Sequence, residues 1–197
     1  MMRILLIGVD GSRKRKLGKA LLDLHANFEP KLLGGAASLT ETSVPPALGS
    51  FTDYRIELEL ALARAREMRE KKHGIFIGSL LDNMAHLYKR IEIANKSGIE
   101  DEGVTTRNLL TSSLLYAILV DSLQADILVY LPLGDQTIDS YTAEVDSFYP
   151  VIFEYFNLNV LILGEDLEEN IKAVNEKIKE ASEQRTDNSQ PIEAKSE

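Results

Sequence analysis

The sequence predicts an α/β fold: a three-layer domain on a mostly parallel sheet of about four to five strands, with helices on both faces. Three observations carry this. Short apolar runs recur along the 197 residues, most of them bounded by glycine or a polar residue. The runs are continuous rather than alternating, as strands buried on both faces are. Between them lie longer segments with apolar residues three and four apart, the spacing of helices docked on a sheet. Right-handed crossovers follow by default, and no internal repeat is visible.

The elements follow in order. Arg3–Ile7 (RILLI) is an apolar run ending in Gly8 and reads as a buried strand. Gly8–Ser12 is a turn with two glycines and Asp10, and a helix follows over Lys14–His25, with Leu17, Leu21, Leu22 and Leu24 as its apolar positions. Residues 30–52 are rich in Gly, Pro, Ser and Thr and read as loop, with Lys31–Leu33 as a short strand within it. Residues 53–70 recur apolar at Tyr54, Leu58, Ala61 or Leu62, Ala65 and Met68; their Ala, Leu, Glu and Arg content selects helix over an alternating strand. Gly74–Gly78 (GIFIG) is the second clear strand. Ser79 and Asp82 then form a capping box that opens a helix to about Ala94.

Asn95–Gly103 reads as polar loop, and Thr106–Val120 as a helix carrying Leu109, Leu110, Leu114, Ala117 and Ile118. Asp126–Leu131 (DILVYL) is the third strand. Ile138–Phe148 is helical, and Pro150 is expected to kink it or begin a new segment. Asn159–Leu163 (NVLIL) is the fourth strand, and Asp166 caps a last helix with Leu167, Ile171, Val174 and Ile178 on one face. From Ser182 the composition turns polar. The expectation is one domain over residues 1–181 and a disordered tail over 182–197.

Composition narrows the function classes. The chain is 44% hydrophobic and 27% charged, an ordinary globular balance. No apolar run approaches the roughly 20 residues of a membrane helix, and Ile4–Ile7 is too short for a secretory h-region. There are no cysteines, which removes thiolate chemistry and disulfides and fits a cytoplasmic protein. The net charge of −9 argues against nucleic-acid binding by the whole surface. Residues 1–19 run the other way: six Lys/Arg against Asp10 give +5 and leave −14 for the rest.

Those cations gather at the first turn, Ile7-Gly8-Val9-Asp10-Gly11-Ser12-Arg13-Lys14-Arg15-Lys16-Leu17, between a strand and a helix. A phosphate-binding loop has Gly, four residues, Gly, Lys, then Ser or Thr. Gly8 takes the first position and Lys14 the lysine. The spacing has a physical basis: glycines let backbone N–H groups turn toward phosphate oxygens, the lysine reaches the outer phosphates, and the hydroxyl holds Mg²⁺. Gly8, Asp10, Gly11, Ser12, Arg13, Lys14 and Arg15 are therefore the candidate phosphate-binding residues.

The stretch resembles the phosphate loop of P-loop nucleoside and nucleotide kinases, and Gly8-Val9-Asp10-Gly11-Ser12 is similar to its thymidylate-kinase style. The order of elements is similar to small P-loop kinases, including the nicotinamide-riboside-kinase-like group. The likeness spans residues 3–180 as architecture and residues 7–17 as motif. It implies a P-loop NTPase-like domain, ATP or another nucleotide as cofactor, and a phosphate-bearing small molecule as partner.

Departures from the pattern are as informative. Arg13 stands where the family has its second glycine, and Arg15 where it has the Mg²⁺-binding hydroxyl, which a cation cannot replace. Beyond the strand Ile75–Ile77 the nearest acid is Asp82, better explained as the helix cap than as a metal ligand. The segment after Leu131 holds Asp135 and Asp139 but no basic residue where the family carries a lid arginine. Positioning and electrostatics supply nearly all catalysis of phosphoryl transfer. The resemblance therefore implies a catalytically impaired kinase-like domain that keeps phosphate or nucleotide binding, with a regulatory or assembly role. Two alternatives stand beside it: an active nucleoside or nucleotide kinase whose metal would rest on Asp10 and Asp82, and an interaction protein that binds no nucleotide.

The remaining features are open or bland. The run Arg13–Lys16 reads equally as a solvated face or as the partner of an anion (a phosphate, a nucleic-acid backbone met locally, or an acidic protein surface), because cations oppose the dipole at a helix N-terminus. His25, His73 and His86 lack ligand spacing and read as structural. Tyr141, Phe148, Tyr149, Phe153, Tyr155 and Phe156 read as core, with a homo-oligomer contact as the alternative.

Overall fold

The computed structural model describes residues 2–9, 12–28, 30–32, 51–70, 73–96, 125–134 and 140–187. In chain order these form β1 (Arg3–Ile7), α1 (Ser12–Leu24), β2 (Pro30–Leu32), α2 (Phe51–Glu70) and β3 (Gly74–Ile77). They continue as α3 (Leu80–Lys96), β4 (Ile127–Tyr130), α4 (Ser140–Tyr155), β5 (Leu161–Ile162) and α5 (Leu167–Asp187). The strands make one sheet in the order β2-β3-β1-β4-β5, every pair parallel.

The three layers follow from the two-residue period of the strands. Ile4, Leu6, Ile75, Ile127 and Val129 point to one face, where they pack with Leu17 and Leu21 of α1 and Val174 and Ile178 of α5. Leu5, Ile7, Phe76, Leu128 and Tyr130 point to the other, against Ala61 and Ala65 of α2, Leu81 and Ala85 of α3, and Val145 and Tyr149 of α4. Both faces are covered, so the central strands are apolar without alternation.

Register places the ends of the central strands side by side. Ile4 is opposite Ile75 of β3 and Ile127 of β4. From β1 the chain passes through α1 on one face to the edge strand β2. From β3 it passes into α3 on the other face and returns as β4 on the far side of β1. The loops after β1 and β3 thus leave neighbouring strands in opposite directions. In open α/β sheets such a divergence is where a crevice forms at the carboxyl ends of the strands and where ligands bind.

Several elements differ from expectation. The helix expected to break at Pro150 continues through it as α4. Pro150 lacks the N–H that would reach Asp146 O, and its exposed ring faces solvent. The Tyr130 hydroxyl lies 3.4 Å from that carbonyl and donates toward it from β4. The last helix runs to Asp187 instead of fading at Ser182, tied to the sheet by Arg185 on Asp126. Asn95 and Lys96 belong to α3, not to the loop expected there. The Thr106–Val120 helix, Asp135, Asp139 and residues 188–197 lie outside the described residues.

The expected caps are present. Asp166 Oδ1 accepts from Glu169 N at 2.9 Å, and Ser79 Oγ accepts from Leu81 N at 3.1 Å. The histidines make structural contacts. His25 pairs with Asn175, and His86 with the Tyr141 hydroxyl. His73 accepts from Met2 N while stacking on Phe28.

Candidate functional site

At the crevice the three ends of β1, β3 and α1 meet on one carboxylate. Gly8 ends β1 with a φ of +138°. A Cβ on Gly8 would lie 2.5 Å from Leu131 O, just past β4, so the close approach of the chain beyond the two strands requires glycine here. Asp82 sits in the first turn of α3 and is 4% exposed. Its Oδ1 accepts from Gly8 N at 3.0 Å and from the Tyr149 hydroxyl at 2.7 Å. Its Oδ2 accepts from Ser79 N at 3.0 Å and from Lys14 Nζ at 3.3 Å.

A carboxylate offers about four lone-pair sites, and these four donors use them. Asp82 is therefore the helix cap its spacing predicts and also the hub of the crevice. Burial alone would raise its carboxyl. The cations Lys14 and Arg64, the Gly8 N–H and the Tyr149 O–H outweigh burial and hold it below its ordinary value.

Lys14 is buried in the first turn of α1, and its ammonium donates to Gly8 O as well as to Asp82. Behind Asp82, Arg64 of α2 reaches Ser79 O at 3.1 Å and Asn83 Oδ1 at 2.6 Å. Tyr149 is fully buried and stacks on Tyr130 with ring centroids 5.1 Å apart. Burial first, then the facing Asp82, pushes its phenol well above its ordinary value, so it remains a donor to the carboxylate.

Tyr149→Phe removes only that donor and leaves Asp82 three others. The expected loss is about 1.5–3 kcal/mol, the range for a hydrogen bond to a charged group. Denaturant unfolding at neutral pH reads it; a variant as stable as the wild type would show that the phenol contributes nothing there.

The predicted site residues separate into groups. Gly8, Lys14 and Asp82 come together. Ser12 opens α1. Asp10 and Gly11 lie outside the described residues. Arg15 and Lys16 are exposed on α1. Arg13 does not turn toward Lys14: its guanidinium donates to Pro132 O at 2.8 Å, Leu133 O at 3.2 Å and Gly164 O at 2.6 Å.

Three members of the cluster, Arg64, Asn83 and Tyr149, were not foreseen. Arg64 carried a signal, since it lies on the stripe of Leu60, Ala61, Ala65 and Met68 that α2 buries. Tyr149 sits on the buried stripe of Val145, Ile152 and Phe153, where a hydroxyl needs a partner. The expected aromatic core holds for Tyr149 and Phe153, whereas Tyr155 is 76% exposed.

The Mg²⁺ that this fold implies does not fit these residues. Asp82 has its acceptor sites filled, and Arg15 stands where a hydroxyl would be needed. Among the described residues no three metal-ligating side chains gather. Lys14 lies in the N-terminal turn of α1, where helix N–H groups and an ammonium both favour an anion.

This architecture is the fold of the P-loop nucleoside and nucleotide kinases. Among solved structures, a NadR protein in complex with NR matches with a TM-score of 0.61 at 12% identity, over 89% of this chain and 50% of that one. A NadR protein in complex with NAD and AMP-PNP matches with 0.61 at 13% identity, over 89% and 49%. A thymidylate kinase from Candida albicans matches with 0.55 at 13% identity, over 92% of each chain. The chain spans about half the length of the NadR proteins. No protein-family model and no curated protein matches it. No described helix is long and apolar enough to cross a membrane.

Proposed function

We propose that the protein is a P-loop kinase-like domain that binds a phosphate-bearing small molecule, transfers phosphoryl groups poorly or not at all, and serves a regulatory or assembly role. The observation that carries this is the buried Lys14–Asp82 pair across the β1–β3 crevice. The lysine stands where it can meet an anion at the N-terminus of α1. Its present partner is a carboxylate, which a phosphate oxygen can replace in kind. With Lys14 turned to the phosphate, the same carboxylate still holds the Gly8 N–H, the Ser79 N–H and the Tyr149 O–H, which leaves it poorly placed to orient a metal. A cytoplasmic setting belongs to this reading and is in line with the cysteine-free sequence.

Thermal unfolding with phosphate, tripolyphosphate and nucleotides, each with and without Mg²⁺, tests it. A bound ligand stabilises the native state by mass action, about 2.7 kcal/mol at a hundred times its Kd. At least one phosphate-bearing ligand is expected to raise the Tm of the wild type, and Lys14→Ala to abolish the shift. Mg²⁺-dependent ATP turnover is expected to stay at background. Robust turnover that Lys14→Ala removes would sink the impaired-kinase reading. No shift with any ligand at millimolar concentration would favour a purely structural protein.

A further inference from the structure

We propose that Arg13 is a specificity residue: it closes the β4–β5 side of the phosphate site, so the ligand is a compact phosphate compound with nothing laid along the loops after β4 and β5. A nucleoside triphosphate laid along the loops after β4 and β5 is then excluded. This rests on the phosphate-binding reading above.

Adjacent residues on a helix diverge by about 100°, and Arg13 and Lys14 use that divergence. Lys14 turns to Gly8 O and Asp82, between β1 and β3. Arg13 turns the other way. Its Nη1 donates to Pro132 O and Leu133 O, in the loop that follows β4. Its Nη2 donates to Gly164 O, in the loop that follows β5. One guanidinium thus ties the first turn of α1 to two separate loops through three charge-assisted hydrogen bonds.

The contact is tight on its outer side as well. Gly134 has a φ of +69°, and a Cβ on it would lie 2.8 Å from Arg13 Nη1. The same Cβ would press on Glu165 Oε1, so the loops after β4 and β5 meet each other beside the guanidinium. On the far side of the β4 loop, Leu133 N donates to Asp146 Oδ2 at 3.1 Å, which fixes that loop to α4.

A ligand whose phosphate meets Lys14 has two directions along the carboxyl edge of the sheet, and both are obstructed. Toward β4 and β5 a planar base must break the Arg13 bonds before it can lie between those loops and α1. Toward β3 it meets Asp82 and, behind it, the buried Ser79, Arg64 and Asn83, whose polar groups already bond one another. A glycine at position 13 would reach neither loop and would leave the first direction open. The residue that departs from the phosphate-loop pattern therefore decides whether a ligand can extend along those loops.

Calorimetric titration of the full chain with tripolyphosphate and with ATP, without Mg²⁺, tests this on the wild type, Arg13→Gly, Arg13→Ala and Lys14→Ala. The wild type is expected to bind tripolyphosphate about tenfold or more tighter than ATP, a difference of about 1.4 kcal/mol or more. Both Arg13 variants are expected to gain ATP affinity relative to tripolyphosphate until the two ligands bind alike. Lys14→Ala is expected to lose tripolyphosphate. The alanine variant keeps the helix propensity of α1, so it serves if the glycine variant fails to fold.

Equal binding of ATP and tripolyphosphate by the wild type overturns the role of Arg13 and leaves the phosphate site standing. Discrimination that persists in both Arg13 variants also overturns it. No tripolyphosphate binding by the wild type or any variant removes the phosphate reading itself, and this inference with it.

Discussion

Asp82→Ala is expected to destabilise the protein by about 3–5 kcal/mol, the penalty for leaving one partner of a buried ion pair alone. Lys14 then keeps only Gly8 O, while Gly8 N, Ser79 N and the Tyr149 hydroxyl lose their acceptor. For a domain of this size each kcal/mol moves Tm by about 2–4 °C, so the drop is of order 10 °C. Lys14→Met is expected to be milder, because Asp82 keeps three donors. The pair of variants, read by denaturant unfolding, separates the carboxylate as hub from the ion pair as an isolated contact. Equal losses in the two would refute the hub.

The same carboxylate sets an acid limit. Its folded-state value lies below the ordinary 3.8. The stabilisation it provides is therefore fully present above 3.8 and is lost as pH falls through the lower folded value. Stability measured downward from neutral pH is expected to hold to about the ordinary carboxylate range and then to fall. In Asp82→Ala that part of the fall is absent. A wild type and variant that lose stability in parallel on acidification would contradict the linkage.

Gly8→Ala is the second large effect. The new Cβ would meet Leu131 O at 2.5 Å, a backbone atom held by the sheet, in a backbone conformation with φ of +138°. Strain of about 1–3 kcal/mol for the conformation adds to about 1–3 kcal/mol for overpacking. The expected loss is about 3 kcal/mol, with β1 and β4 forced apart at their carboxyl ends. The backbone N–H and C=O of residue 8 hold Asp82 and Lys14, so a backbone displaced by the new Cβ is expected to lose phosphate-induced stabilisation as well. A variant that melts with the wild type and still shifts with phosphate would show that the strand ends tolerate the side chain.

Much of the fold is legible in the amino-acid sequence. RILLI, GIFIG and DILVYL mark the central strands because both faces of a parallel sheet are buried, and their apolar runs need no partner to be recognised. The Ser79–Asp82 and Asp166 caps were legible because capping is local chemistry. Pro150 misled because its missing N–H was read as a break; Tyr130, on a strand about 20 residues earlier in the chain, helps to satisfy the carbonyl. Ser182 misled because polar composition was read as disorder, while Arg185 reaches back to Asp126 across 59 residues of sequence.

The candidate site divides in the same way. Gly8 and Lys14 were found because their spacing within one turn encodes a shape that backbone N–H groups can make. Asp82 was found for its local role alone, as a cap. Its second role needed Gly8 and Lys14, 74 and 68 residues away, to arrive at its two oxygens. Tyr149, 67 residues further on, joins them only because α4 packs against α3.

The sequence by itself determined the layers, the parallel sheet and a cation-rich turn after the first strand, since periodicity and capping act within a few residues. The tertiary structure decided where those cations go. Arg13 and Lys14 share one helical turn, yet one clamps the loops after β4 and β5 while the other pairs with Asp82. That choice depends on which strand ends lie beside α1, and the order β2-β3-β1-β4-β5 exists only once the chain has folded.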